Sequence, residues 1–215
     1  MDRDDARTHD PSVGDRPRVR ALLMDADGVT QYPHAGWLTE MARLGGPRFV
    51  ADAFRHEKTT LTGQADLREL LTALLERDGR DCTADDILQV WYRVELDERM
   101  LDLVDRVRAA GVTTALATNQ QSYRGGFMLA NLPYDEHFDH QFHSFQVGLA
   151  KPDPAFFTHI VETLGIAPSE AVFVDDMAVN VRGARRAGLQ AVHFAGTDTY
   201  GHLRSRLRAL GVPGV

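Results

Sequence analysis

Short apolar runs, each stopped by polar residues, recur along the chain. Arg20 leads into Ala-Leu-Leu-Met24, and Asp25-Ala-Asp-Gly28 ends the run. A run this short, closed by turn-forming residues, predicts a buried strand that meets a loop. The pattern returns at 112–117 (VTTALA) after Gly111, at 171–174 (AVFV) before Asp175, and at 191–194 (AVHF) after Gly188-Leu-Gln. Helical patterns fill the intervals. Leu101, Val104, Val107 and Arg108 share helical spacing, and Gly111 stands where a helix end favours a left-handed residue. Asp153-Pro154 supplies a cap and a first-turn proline for a helix that Gly165 closes, and 180–188 (NVRGARRAG) predicts another. Alternating strands and helices predict an α/β fold: a parallel sheet covered on both faces and joined by right-handed crossovers.

The stretch from Gly36 to Val94 has a different texture. WLTEMARL, RFVADAFRHE, ADLRELLTALLE and ADDILQVWYRV are all helix-patterned, glycines punctuate them, and no strand pattern intervenes. The expected organisation is a helical cap over 34–95, inserted into a core made of 19–33 and 96–215. Residues 1–18 mix Asp and Arg with almost no apolar content, which predicts a disordered tail and neither a signal peptide nor an organelle-targeting segment.

Ligands of open parallel sheets bind beyond the carboxyl ends of the strands. Those ends here carry Asp25 and Asp27, then Thr118 and Asn119, then Asp175 and Asp176, with Lys151 on the loop before the Asp153-capped helix. Four carboxylates gathered at one edge repel one another, so a cation is expected among them. Oxygen donors favour a hard ion, and magnesium shares its sphere readily with a substrate phosphate. The nine histidines are scattered and make no zinc pattern. Taken singly, each element has a plain structural reading: a polar turn, a strand exit, a surface lysine, a helix cap. Their joint occurrence points to chemistry.

Composition narrows the partners. Lys and Arg total 24 against 31 Asp and Glu, a net charge of −7, which argues against nucleic acid as the main partner. A small anionic substrate remains compatible, because local charge in a cleft outweighs the total. The single cysteine, Cys82, permits no intrachain disulfide and suits a reducing cytoplasm. No apolar run approaches the ~20 residues of a membrane span.

Four motifs in order carry a family resemblance. LLMDADGV resembles the first motif of the haloacid dehalogenase-like (HAD) superfamily, LATN the second, Lys151-Pro-Asp-Pro the third, and FVDDMAVNVRGARRAG the fourth. The helical insertion between motifs one and two resembles the branch with a C1 cap, subfamily I. The resemblance covers Arg20 to Phe194 and implies a Rossmannoid three-layer sandwich bearing a small α-helical cap.

It also implies a magnesium-dependent phosphatase acting on a small phosphorylated metabolite, as a monomer or homodimer. Asp25 is then the nucleophile and Asp27 the general acid and base. Thr118, Asn119 and Lys151 are the phosphate and substrate contacts. Magnesium is held by the Asp25 carboxylate, the Asp27 backbone carbonyl and the Asp176 carboxylate, while Asp175 supports that shell and Asn180 holds the fourth-motif loop.

Phosphomutase-type transfer and a catalytically silent ligand sensor remain alternatives. Haloacid dehalogenation fits less well, since such enzymes lack the second Asp of motif one. Thr30 and the Gln31-Tyr-Pro-His34 that follows depart from the family pattern. Trp37, Trp91 and Tyr92 are expected to pack within the cap, and Arg55, His56 and Lys58 to face solvent. Arg124-Gly-Gly126 is expected to shape the pocket floor or to form a loop, and Cys82 to be inert.

Overall fold

The computed structural model describes residues 18–215, so the tail expected over 1–18 falls, but for Arg18, outside the described residues. Among the described residues there are seven strands: β1 Ala21–Met24, β2 Gln31–Pro33, β3 Val94–Leu96, β4 Thr113–Thr118, β5 His140–His143, β6 Ala171–Asp175 and β7 Gln190–His193. Helices α1 Trp37–Gly45, α2 Phe49–Thr60, α3 Leu67–Arg77 and α4 Ala84–Tyr92 lie between β2 and β3. The remainder are α5 Glu98–Ala109, α6 Ser122–Asn131, α7 Tyr134–His137, α8 Ser144–Val147, α9 Pro154–Leu164, α10 Ala178–Arg186 and α11 Tyr200–Ala209.

Five strands form one parallel sheet in the order β5-β4-β1-β6-β7. Successive residues of β1 serve opposite faces, as the period of two requires. Leu22 and Met24 join Leu101, Val104 and Val107 of α5 and Leu203 and Leu207 of α11 on one side. Ala21 and Leu23 join Phe156, Phe157 and Ile160 of α9 and Val181 and Ala184 of α10 on the other. Burial on both faces explains why these strands read as unbroken apolar runs. The helix signals are also realised. Asp153 accepts a hydrogen bond from the Ala155 backbone N–H, Pro154 opens α9, and Gly165 closes it at φ 63°.

Helices α1–α4 have an apolar cluster of their own, including Met41, Phe49, Leu67, Leu71, Ile87 and Trp91. The chain enters and leaves them through a ribbon absent from the sequence reading, in which Gln31, Tyr32 and Pro33 of β2 pair antiparallel with Leu96, Glu95 and Val94 of β3. Strand β5 was likewise unexpected, because its HQFH sequence belongs to a polar sheet edge. The loop alternative at Arg124-Gly-Gly126 is corrected: α6 runs through it. The Gln121 side chain caps this helix by accepting from the backbone N–H groups of Tyr123 and Arg124. Bare Gly125 leaves the space that the Phe145 ring fills. Helix α6 in turn carries the α1–α4 unit. Tyr92 stacks on Phe127 with centroids 4.7 Å apart, and the Tyr123 hydroxyl donates to Asp66 at 2.6 Å.

Candidate active site

Parallel strands deliver their polar exits to one edge, and three of those exits meet there. Asp25 follows the last residue of central β1, and its backbone N–H donates to the Val174 carbonyl at 3.0 Å. Lys151, from the loop before α9, places its Nζ 2.7 Å from Asp25 Oδ1 and 2.7 Å from Asp175 Oδ2. All three side chains are buried. Burial alone lowers the proton affinity of Lys151, but the Asp25 and Asp175 charges outweigh it and hold the ammonium charged. Burial pushes the Asp25 carboxyl well up; Lys151 opposes that push, and Asp175 and Asp27 add to it.

Asp175 is saturated. Its Oδ1 accepts from the Met177 N–H at 2.7 Å, and the Asn180 amide reaches both of its oxygens at 3.1 Å. Asn180 thus ties the start of α10 to the carboxylate that anchors Lys151. Asp176 differs: among the described residues it is held by no other side chain. It is partly exposed, and is pushed up by burial and by Asp175, against Lys151 and its own backbone N–H. Carboxylate oxygens of Asp25, Asp175 and Asp176 lie within 4.8 Å of one another. When all three carboxylates are ionised beside the Lys151 ammonium the local charge is −2, and a divalent cation bound to these oxygens would favour that ionised form over the neutral one that burial promotes.

Gly28 makes that cluster possible. It sits at φ +79°, and a Cβ there would stand 2.7 Å from the Asp176 carboxyl. Gly28→Ala is expected to cost roughly 1–2 kcal/mol through the left-handed backbone alone, and to displace Asp176. Thermal unfolding checks this, and an unchanged midpoint would contradict the placement.

Asp27 faces the other way, towards α6. Arg124 grips it with two nitrogens, Nη1 donating to Oδ2 at 2.5 Å and Nη2 to Oδ1 at 2.7 Å. Gln31 donates to Oδ1 at 3.0 Å and Gln120 to Oδ2 at 2.8 Å. Burial favours the neutral acid, but Arg124 and the two amides win and hold the carboxyl below its ordinary value. The same guanidinium donates through Nε to the Trp91 carbonyl of α4 at 3.0 Å.

Thr118 is buried and its hydroxyl accepts from Gln120 Nε2 at 3.1 Å, which leaves its own hydrogen available. Asn119 commits both ends of its amide to the Lys151 backbone, donating to the carbonyl and accepting from the N–H, each at 2.9 Å. Asp25, Asp27, Asn119, Lys151 and Asp176 all line one cleft of about 790 Å³. A further cavity of about 650 Å³ beside β7 and α11 lies away from these carboxylates, and its Arg206 and Asp198 are paired with each other at 3.1 Å.

The profile of the haloacid dehalogenase-like hydrolase family matches residues 15–188. The chain belongs to that family. Among curated relatives, bifunctional epoxide hydrolase 2 of Sus scrofa is 27% identical over 207 residues, covering 84% of this chain and 37% of its own length. Phosphoglycolate phosphatase of Pseudomonas putida strain KT2440 is 25% identical over 199 residues, covering 87% and 72%. The chain thus spans little more than a third of the pig protein. A HAD family enzyme from Bacteroides thetaiotaomicron, bt-2542, was crystallised with magnesium and inorganic phosphate. Its fold superposes with a TM-score of 0.74 at 21% identity, covering 86% of this chain and 98% of its own.

This HAD-like hydrolase surrounds Asp27 with residues outside the four motifs. Arg124 lines the pocket, as one of the two expectations for Arg124-Gly-Gly126 had it, but its pairing with Asp27 was not foreseen, and no role was expected of Gln120 or Gln31. Thr30, marked as a departure, donates to the Asp25 carbonyl at 3.1 Å and meets the Tyr134 hydroxyl at 3.2 Å. That hydroxyl donates to Gln31 at 3.0 Å. The departure is thus part of a buried polar network beneath Asp25 and Asp27. Lys58, expected to face solvent, is exposed and also lines the cleft mouth. Among the described residues, no helix is long and apolar enough to cross a membrane.

Proposed function

We propose that this HAD-like hydrolase is a magnesium-dependent phosphatase that cleaves a small phosphomonoester through an aspartyl-phosphate on Asp25. The observation that carries this reading is the buried Asp25 carboxylate at the end of the central strand, with Lys151 Nζ at 2.7 Å. A nucleophile needs access to phosphorus and a nearby cation to offset the charge of the incoming phosphate. The named activity of the Pseudomonas relative and the ligands of the Bacteroides enzyme support the same reading.

In the first step an Asp25 oxygen attacks phosphorus while the bond to the ester oxygen breaks, and Asp27 gives that oxygen a proton. In the second a water attacks the phosphorus, its proton passes to Asp27, and the bond to Asp25 breaks to release inorganic phosphate. The Arg124 grip favours the Asp27 carboxylate; an arriving phosphate dianion raises its proton affinity, so that Asp27 takes up one proton from solvent before the first step, and the water of the second step restores that proton for the next cycle. The Thr118 hydroxyl hydrogen and the Lys151 ammonium hold phosphoryl oxygens, and Asn119 acts by fixing the Lys151 backbone. The Asp25 and Asp176 carboxylates and the Asp27 backbone carbonyl are the proposed magnesium ligands, with Asp175 and Asn180 supporting them. Bound there, the ion supplies charge stabilisation for the transferring phosphoryl group. The ester is a small molecule in the cytoplasm, where the lone Cys82 stays reduced.

Hydrolysis of p-nitrophenyl phosphate tests the reading. Turnover is expected with magnesium and should fall at least ~100-fold after chelation. Absence of turnover in folded, magnesium-supplied protein would overturn the proposal.

A further inference from the structure

The cleft has a side chamber under the α1–α4 unit, of about 340 Å³, whose wall includes Trp37, Phe54, Trp91, Glu57, Lys58 and Arg124. It shares Asp27 and Asn119 with the main cleft, so a leaving group extending from a phosphate at Asp25 enters it. The three rings meet edge to face, Trp37 on Phe54 at 5.7 Å and Phe54 on Trp91 at 5.6 Å. Such an arrangement presents electron-rich faces in different directions. Arg124 is a wall residue, but its charge is already matched by Asp27 through two hydrogen bonds. Lys58 is exposed.

Glu57, on α2, is the wall carboxylate that no donor holds directly. It is partly buried, and among the described residues its side chain makes no hydrogen bond or ion pair; burial pushes the carboxyl up to about 7 against the charges of Arg124 and Lys58, with Asp27 adding to the rise. A carboxylate removed from water without a partner is costly, and a bound group that supplies the partner recovers that cost. A neutral apolar leaving group would desolvate Glu57 further and give it nothing. An anionic one would be repelled. A cationic one meets both the carboxylate and the ring faces.

Resting on the phosphatase reading above, we propose that the substrates are phosphomonoesters of amino alcohols, with the ammonium held by Glu57 and the faces of Trp37, Phe54 and Trp91.

The test compares phosphocholine with 3,3-dimethylbutyl phosphate, its uncharged isostere, on the magnesium-loaded full chain. O-phosphorylethanolamine serves as a second cation. The expected result is a kcat/KM at least about tenfold higher for the cations, the scale of a desolvated ring–cation contact joined to an ion pair. E57Q should bring the ratio close to one. Equal rates for cation and isostere in the parent enzyme, or a ratio that E57Q leaves intact, overturn the proposal. Either result on an enzyme that turns over both esters leaves the phosphatase reading standing. If the parent cleaves neither these esters nor p-nitrophenyl phosphate, it is the phosphatase reading that fails.

Discussion

Asp25→Asn is expected to reduce phosphatase turnover by at least about 10⁴-fold, the scale on which loss of a catalytic nucleophile acts. The amide keeps the shape of the carboxylate but cannot form the acyl phosphate. The fold should survive. Burial already works against the Asp25 charge, so an uncharged residue removes a cost, while Lys151 keeps its 2.7 Å contact with Asp175. The folded-state pKa is raised, so ionised Asp25 weakens the fold progressively as pH climbs above its ordinary value of 3.8. In chelator at pH 7 the variant should therefore melt no lower than the parent. Single-turnover assays and thermal melts on the same preparation check both halves. A variant as fast as the parent would refute the nucleophile assignment.

Arg124→Met should show the second large effect, this time on stability and on pH dependence together. Methionine retains the aliphatic stem but strips Asp27 of its two charged donors and the Trp91 carbonyl of its partner. Breaking a buried ion pair typically costs 3–5 kcal/mol. The Asp27 side chain is 39% exposed and so partly solvated, and about 2–3 kcal/mol is the expected loss. Because Arg124 holds the Asp27 pKa below 3.8, its contribution is full above that value and fades as pH falls through the depressed folded pKa. The gap between parent and variant in urea unfolding should accordingly be wide at pH 7 and narrow below about pH 4. The limb of the pH–rate profile that reports proton loss from Asp27 should move to higher pH. Arg124→Lys should restore little, since an ammonium cannot grip both oxygens and reach Trp91 as well. Equal unfolding midpoints for parent and Arg124→Met would sink this account.

The sequence reading reached the sheet where burial is two-sided. Strands β1, β4, β6 and β7 show themselves as apolar runs because both of their faces are covered, and their exits announce Asp25, Thr118 and Asp175. It failed where an element owes its form to a neighbour. β5 is a polar edge segment held by β4, and β2 and β3 are three-residue strands, one containing Pro33, that exist only as each other's partner. Gly125-Gly126 looked like a breaker, whereas packing against Phe145 makes a small residue in α6 an advantage. For the site, motif spacing brings Asp25, Lys151, Asp175 and Asp176 together. The surroundings of Asp27 were illegible because Gln31, Gln120 and Arg124 converge only through the packing of α6 on the sheet.

Strand order has a consequence for synthesis. Of the described strands, β1 is translated before the others; it lies between β4 and β6, and β6 follows it by about 150 residues. A nascent polypeptide that has not yet emerged beyond Ala171 leaves one side of β1 unpaired, with Leu22 and Leu23 beside it. Such an open apolar border templates association with other chains. The interval between translating β4 and translating β6 is therefore when the growing protein is most exposed to aggregation and has most need of a chaperone.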